Sequence, residues 1–218
     1  MQTGRPFILV LAGVNGAGKS SVGGSALLSV GLDWFNPDSV ARRIIAKAGL
    51  SREQANALAW RLGVRMLGRA VSNLENFAFE TTLGGNTLPS LLAAAARTHD
   101  IKIWYCGLAT VEMHIDRVAQ RVRAGGHDIP VAKIRERWEK SRAHLIDLLP
   151  HLTFLQVFDN SATIPLGEAL PDPRLILEMS SQGVTVPACR DEPVIAWARP
   201  IVAAAFAQWD RAGATPDH

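Results

Sequence analysis

Residues 7–21 read FILVLAGVNGAGKSS. Six apolar residues, Phe7 to Ala12, follow one another without alternation, as in a parallel strand buried on both faces. The run stops at Gly13. From there Gly13-Val14-Asn15-Gly16-Ala17-Gly18-Lys19-Ser20 satisfies G-x-x-x-x-G-K-S, the phosphate-binding P-loop. Its chemistry requires these residue types. Glycines let backbone N–H groups close around phosphate oxygens, and a helix opening near Lys19 turns the positive end of its dipole toward them. Lys19 is expected to reach the outer phosphates of ATP and Ser20 to offer a hydroxyl to Mg²⁺, while Gly13, Asn15, Gly16, Ala17, Gly18 and Ser21 complete the nucleotide cradle.

Outward from that stretch, apolar strands alternate with helical patterns. Short strands are expected at 76–81 (NFAFET), 101–108 (IKIWYCGL) and 152–160 (LTFLQVFDN), with a second strand region at 34–44 (WFNPDSVARRI). Helices are expected from Lys19, from Asp38, from Ser51 to about Val71, and over 87–99 (TLPSLLAAAARTH). Val111, Ile115, Val118 and Val122 recur at helical spacing, and so do Ile134, Trp138, Ser141 and Leu145. Strand–helix alternation implies an α/β fold with a mainly parallel sheet in a three-layer αβα arrangement. Past Pro165 the pattern weakens: 174–188 reads as a hairpin and Val194 to Trp209 as a closing helix, a C-terminal appendage over about 165–218 of one domain spanning 1–218.

The chain has 218 residues, of which 48% are apolar and 20% charged, an ordinary globular balance with room for a substantial core. No apolar run reaches the length of a membrane span, and the N-terminal residues lack the pattern of a signal peptide. Cys106 and Cys189 form neither a metal spacing nor a disulfide framework, so a reduced, cytoplasmic protein is expected, without membrane. The net charge of +3 is too small to argue for nucleic acid. It is unevenly placed. Between Arg117 and Arg142 stand eight Lys/Arg against Asp128, Glu136 and Glu139, a surplus of five, so the remainder is acidic by two. Such a run is either a pair of solvated helix faces or a surface that meets an anion.

Two acids stand out. Glu80 follows Phe77-Ala78-Phe79 at the carboxyl end of a strand, the edge where open α/β sheets bind ligands, so it serves either a ligand or a backbone hydrogen bond. Asp38 follows Pro37 at a helix start. It, or Ser39, would serve as an N-cap; equally, an aspartate beside the γ-phosphate would take the proton of an attacking hydroxyl. The guanine signal N-K-x-D does not occur, and the strand ending at Leu108 offers no Mg²⁺-holding acid of the kind motors and assembly ATPases carry.

The motifs GVNGAGKSS (13–21), FNPDSVAR (35–42), FETTL (79–83), RVAQRVRAGGHDIP (117–130), IRERWEKS (134–141) and VFDNS (157–161) occur in this order. Together they resemble the zeta-toxin family of P-loop kinases, over roughly residues 7–161. The P-loop is shared with many families, whereas the block ending in G-G-H-x-I-P is more distinctive. The resemblance implies a nucleoside-monophosphate-kinase-like core with a mobile lid. It also implies transfer of the ATP γ-phosphate to a hydroxyl of UDP-N-acetylglucosamine. By position, Asp38 resembles the catalytic base, Glu80 with its neighbour Thr81 the substrate-contacting site, and Arg121 and Arg137 the arginines that close on the triphosphate. The expected ligands are ATP, Mg²⁺ and a small hydroxylated acceptor; an antitoxin-like inhibitor is a conceivable partner. The open alternatives are a kinase for another hydroxylated metabolite, such as a nucleoside or an antibiotic, and a nucleotide-binding regulatory protein that transfers nothing.

Read this way, the arginine-rich run becomes a lid over about 117–142. On the helix before Gly125, Arg117 and Arg121 fall on one flank of the apolar stripe and Arg123 on the other. Arg137 flanks the stripe of the next helix, with Gly125-Gly126 as a hinge between them. Arginine suits such a lid because its planar fork stays charged and grips phosphate oxygens. His127 either touches phosphate or braces the hinge through a backbone hydrogen bond.

Overall fold

The computed structural model describes residues 4–20, 22–23, 33–162 and 171–213; Ser21 and the stretches 163–170 and 214–218 of the expected C-terminal segment lie outside the described residues. Six strands run in chain order as β1 (Phe7–Ala12), β2 (Phe77–Thr81), β3 (Asp100–Gly107), β4 (Phe154–Asp159), β5 (Arg174–Ser180) and β6 (Gly183–Val186). The long helices are α1 (Pro37–Ala48), α2 (Arg52–Asn73), α3 (Thr87–Ala95), α4 (Val111–Arg123), α5 (Val131–Leu148) and α6 (Arg199–Gly213). The strands form one sheet in the order β2-β1-β3-β4-β5-β6. β1 to β4 pair in parallel, and β5 and β6 continue the sheet antiparallel. The four parallel strands therefore end on one edge, where Gly13, Glu80, Leu108 and Asn160 come together.

Both faces of the sheet are covered. On one, Ile8, Val10, Ile103, Tyr105, Leu155 and Val157 pack with Leu67 of α2, Leu92 of α3, Leu145 of α5 and Ile201 of α6. On the other, Leu9, Leu11 and Ala78 pack with Phe7, Trp34 and Trp104, and the helix begun by Lys19 meets Leu11 at Gly23. This is the three-layer α/β arrangement the strand–helix alternation implies. The C-terminal residues belong to it: β5 lies beside β4, and Trp197, Ile201 and Ala205 are buried in the main core. Tyr105, fully buried in β3, keeps its hydroxyl satisfied by Ser141 of α5 at 3.0 Å, and burial pushes the phenol up to about 12. That bond explains why a serine occupies the apolar stripe of α5.

Three local expectations are corrected. The second strand region shrinks to one bridge, Phe35 to Phe79, flanked by Phe35 N to Ala78 O and Glu80 N to Phe35 O bonds of 2.8 and 2.9 Å. Pro37 stops any extension, since it has no N–H and its fixed φ starts a helix. Neither Asp38 nor Ser39 caps that helix. Asn36 does, its Oδ1 accepting from Ser39 N at 3.0 Å, which leaves Asp38 in the first turn. The stripe Val111, Ile115, Val118, Val122 packs against Val14 of the P-loop and Ile134 of α5, a small cluster separate from the main core. The helix expected over 87–99 closes at Ala95, whose carbonyl accepts from the N–H groups of Thr98 and His99. Among the described residues, no helix is long and apolar enough to cross a membrane.

The cap assignment has a measurable consequence. Asn36→Ala is expected to lower the free energy of unfolding by about 1 kcal/mol, and Asp38→Ala by about half of that or less, in urea titrations at pH 7. A loss in Asp38→Ala as large as that in Asn36→Ala would return the cap to Asp38.

Candidate active site

The sheet edge is built around the carbonyls of the P-loop. Val14 O accepts from Ala17 N at 3.1 Å and lies 3.4 Å from Lys19 Nζ. Asn15 O accepts from His114 Nδ1 at 2.8 Å. Ala17 O accepts from Cys106 Sγ at 3.0 Å and from Asn160 Nδ2 at 2.9 Å, and Gly18 O accepts from Val22 N. In a trans peptide the C=O and the next N–H point opposite ways. Fixing these carbonyls on the protein side therefore aims the N–H groups of Asn15, Gly16, Gly18 and Lys19 at the space where an anion would sit. Gly13 has φ +139°, and a Cβ there would collide with Cys106 O, so only glycine lets β1 turn into the loop this close to β3.

Around this cradle stand the predicted side chains. Lys19 is buried, with Nζ 3.6 Å from Glu80 Oε1. Glu80 Oε2 accepts from Ser20 Oγ at 2.8 Å and from Asn36 Nδ2 at 2.7 Å. A carboxylate expected to meet the acceptor is thus placed against the P-loop hydroxyl as well. A hydroxyl beside one carboxylate, with phosphate oxygens and water to complete the shell, is the kind of hard-oxygen donor set Mg²⁺ takes. Among the described residues, no group of three His, Cys, Asp or Glu would hold a metal alone.

Arg137 reaches across from α5 and donates to Asn15 Oδ1 at 2.7 Å; burial lowers its pKa, and the charge of Asp38 opposes that shift. Arg121 donates from Nη2 to His127 O at 3.1 Å, and its carbonyl accepts from Gly126 N at 2.8 Å. The turn is that tight because Gly125 has φ +85° and because Gly126 leaves no Cβ to strike Arg121. Arg117, on the same flank, is used structurally: Nη2 donates to Asn160 O at 2.7 Å. Arg123 is exposed. His127 Nε2 lies 3.7 Å from Asp38 Oδ2, so the imidazole itself, beyond its backbone, faces the site.

Two cavities meet here. One, of about 590 Å³, lies over Gly16, Gly18, Lys19 and Ser20 beneath Arg117 and Arg121. The other, of about 380 Å³, opens between Trp60, Thr81, Leu88, Lys133 and Arg137. Lys19, Asp38, Glu80 and His127 line both. Ala17 contributes backbone only, and Thr81 Oγ1 accepts from Leu83 N at 3.1 Å while lining the second cavity.

His114, Cys106, Asn160 and Arg117 support the site without having been singled out for that role. Asn160 sat unassigned within a quoted motif. His114 had a signal: it is a polar residue beside Ile115 on the apolar stripe of α4, and such a residue needs a buried partner.

No model of a known protein family matches the chain. An uncharacterized protein of Haemophilus influenzae is 29% identical over 135 residues, 58% of this chain and 88% of that protein. Among solved structures, the AvrRxo1-ORF1:AvrRxo1-ORF2 complex with sulphate ions is similar at a TM-score of 0.63 and 16% identity, covering 85% of this chain and 62% of the other. The AvrRxo1 complex with ATP gives 0.63, 16%, 85% and 61%. A structure from the PezAT chromosomal toxin-antitoxin system of Streptococcus pneumoniae gives 0.54 and 13%, covering 73% of this chain and 69% of the other. At these identities the likeness is one of fold, a P-loop kinase fold. The chain spans less than two thirds of the AvrRxo1 chains it matches.

The buried imidazole under the loop makes stability pH-dependent. Burial, and then the nearby cations Lys19, Arg117 and Arg142, lower His114 to about 4, against the bond to Asn15 O. The unfolded chain takes that proton near pH 6.5, so stability is complete above that pH and is lost as pH falls toward 4. Between pH 7 and pH 5 this group is expected to cost about 2 kcal/mol. The pH 7 to pH 5 loss measured in urea should shrink by about that amount in His114→Asn, whose amide still reaches Asn15 O. An unchanged loss would remove the imidazole from the account.

Proposed function

We propose that the chain is an ATP-dependent phosphotransferase of the zeta-toxin type. It transfers the γ-phosphate to a hydroxyl of a small acceptor, a sugar nucleotide such as UDP-N-acetylglucosamine. One observation carries this reading: Asp38, a carboxylate, stands where the cavity over the P-loop meets a second cavity of comparable size. A protein that only sensed nucleotide would need the first cavity and no base aimed at the second. Likeness of fold to the AvrRxo1 complex with ATP supports nucleotide as the first ligand.

In this reading the triphosphate lies against the N–H groups of Asn15, Gly16, Gly18 and Lys19, with Lys19 Nζ on its outer phosphates. The nucleoside extends toward a further cavity, of about 850 Å³, beside Met113, Gln120 and Asn160. Ser20 and Glu80 would hold Mg²⁺, which, when bound, would supply positive charge against the phosphate oxygens. The acceptor hydroxyl enters from the second cavity. Its oxygen bonds to the γ-phosphorus, the bond from that phosphorus to the β–γ bridging oxygen breaks, ADP leaves, and the hydroxyl proton passes to Asp38. Arg121 and Arg137, on the two lid helices, stabilise the charge that spreads over the transferring group.

The primary experiment is incubation with labelled ATP, Mg²⁺ and either UDP-N-acetylglucosamine or a metabolite extract, followed by identification of the labelled product. Asp38→Asn is expected to keep its melting temperature and its ATP affinity while transfer falls about 10²- to 10⁴-fold. Lys19→Ala should lose at least about a hundredfold in ATP affinity or turnover. Arg121→Ala and Arg137→Ala should lower kcat far more than they weaken ATP binding, and Arg123→Ala should change little. Full transfer by Asp38→Asn would sink the base assignment. A critical Arg123 beside a dispensable Arg121 would overturn the lid assignment.

A further inference from the structure

Asp38 shares its cavities with guanidinium groups yet is paired with none. Arg42, Arg52 and Arg121 line the P-loop cavity with it, and Arg137 lines the second cavity with it, so α1, α2, α4 and α5 each bring a cation to the space that Asp38 faces. Among the described residues, however, the only ionisable side chain paired with Asp38 within 4.0 Å is His127, with Nε2 at 3.7 Å from Oδ2. That nitrogen also lies 3.5 Å from Arg121 Nη2. The imidazole, only 16% exposed, therefore has both the base and the lid arginine as neighbours of one nitrogen.

We infer that His127 is a positioning residue that keeps Arg121 close to Asp38 but off it. The need for such a residue follows from the chemistry proposed above, on which this inference rests. Arg121 must stand near the phosphates, and Asp38 must stand near the hydroxyl that attacks them. A fork-shaped guanidinium that reached the carboxylate would form a bidentate pair, take up the carboxylate lone pairs and make the group a poorer proton acceptor. A neutral ring between the two removes that outcome. It offers Nε2 either as an acceptor to Arg121 or, as N–H, to Asp38, and it adds no charge of its own.

At pH 7 the surroundings favour the neutral ring. Burial lowers its pKa, the charge of Asp38 raises it, and Arg121, Arg52 and Arg42 lower it further. Arg121 is held back from the other side too, by its bond to His127 O and by the Gly126 N bond to its own carbonyl. The two contacts make His127 part of the lid through its backbone and part of the base through its ring.

The experiment needs no acceptor. The Asp38 carboxyl carbon is followed by NMR against pH in wild type, His127→Ala, His127→Gln and His127→Ala/Arg121→Ala. In His127→Ala the titration is expected to move to lower pH by at least about threefold in the acid dissociation constant, because Arg121 then reaches the carboxylate. It should return toward wild type in the double variant. It should also stay near wild type in His127→Gln, whose neutral amide can both accept and donate. An unmoved titration in His127→Ala overturns the inference, and so does a shift that persists when Arg121 is also removed. The base assignment fails separately, through full transfer by Asp38→Asn, so the two outcomes are distinguishable.

Discussion

The site depends on the P-loop carbonyls being held down from below. Four parts of the chain meet that need: Cys106 at the end of β3, Asn160 just past β4, His114 in α4, and the first turn of the helix after the loop. Each such bond contributes only about 1 kcal/mol net, but a buried carbonyl left without one would cost more than that. The phosphate-facing N–H groups are thus oriented before any ligand arrives, and the cost of ordering them is met by folding rather than by binding. Sheet order makes this possible. β1 lies between β2 and β3, so the loop it feeds has Glu80 on one side and Cys106 on the other.

The legible part of this arrangement was the part written in adjacent residues. An apolar run broken by G-x-x-x-x-G-K-S specifies strand, loop and helix at once. The alternation that follows specifies a parallel sheet, and the flanks of the α4 stripe separated Arg121 from Arg123. The unread part lay in residues whose partners are distant in sequence. Asn15 and His114 are 99 residues apart, and Ala17 and Asn160 143 apart. The cap of α1 was misplaced by two or three positions, because Asn36, Asp38 and Ser39 all have the chemistry of a cap and only the Pro37 ring decides where the helix begins. The α4 stripe was phased correctly, but periodicity names a buried face without naming what buries it, which here is Val14 and Ile134 rather than the main core.

Two carboxylates in one site call for a reason why they differ, and their surroundings supply it. Glu80 is saturated: one oxygen accepts from Ser20 and Asn36, and the other faces the buried ammonium of Lys19. Asp38 has 46% of its side chain exposed and faces a single imidazole. A carboxylate whose lone pairs are occupied by donors is held in place beside the lysine that accompanies it, whereas one open to a cavity is free to meet a ligand. The division follows from backbone placement. Glu80 lies near the end of a strand hydrogen-bonded to β1, which holds it beside the P-loop, whereas Asp38 sits in the first turn of a helix whose N-terminus opens toward the second cavity. Asn36 joins the two, capping the helix of one with its Oδ1 and donating to the other from its Nδ2, so the spacing between the fixed charge and the open one is set by a single side chain.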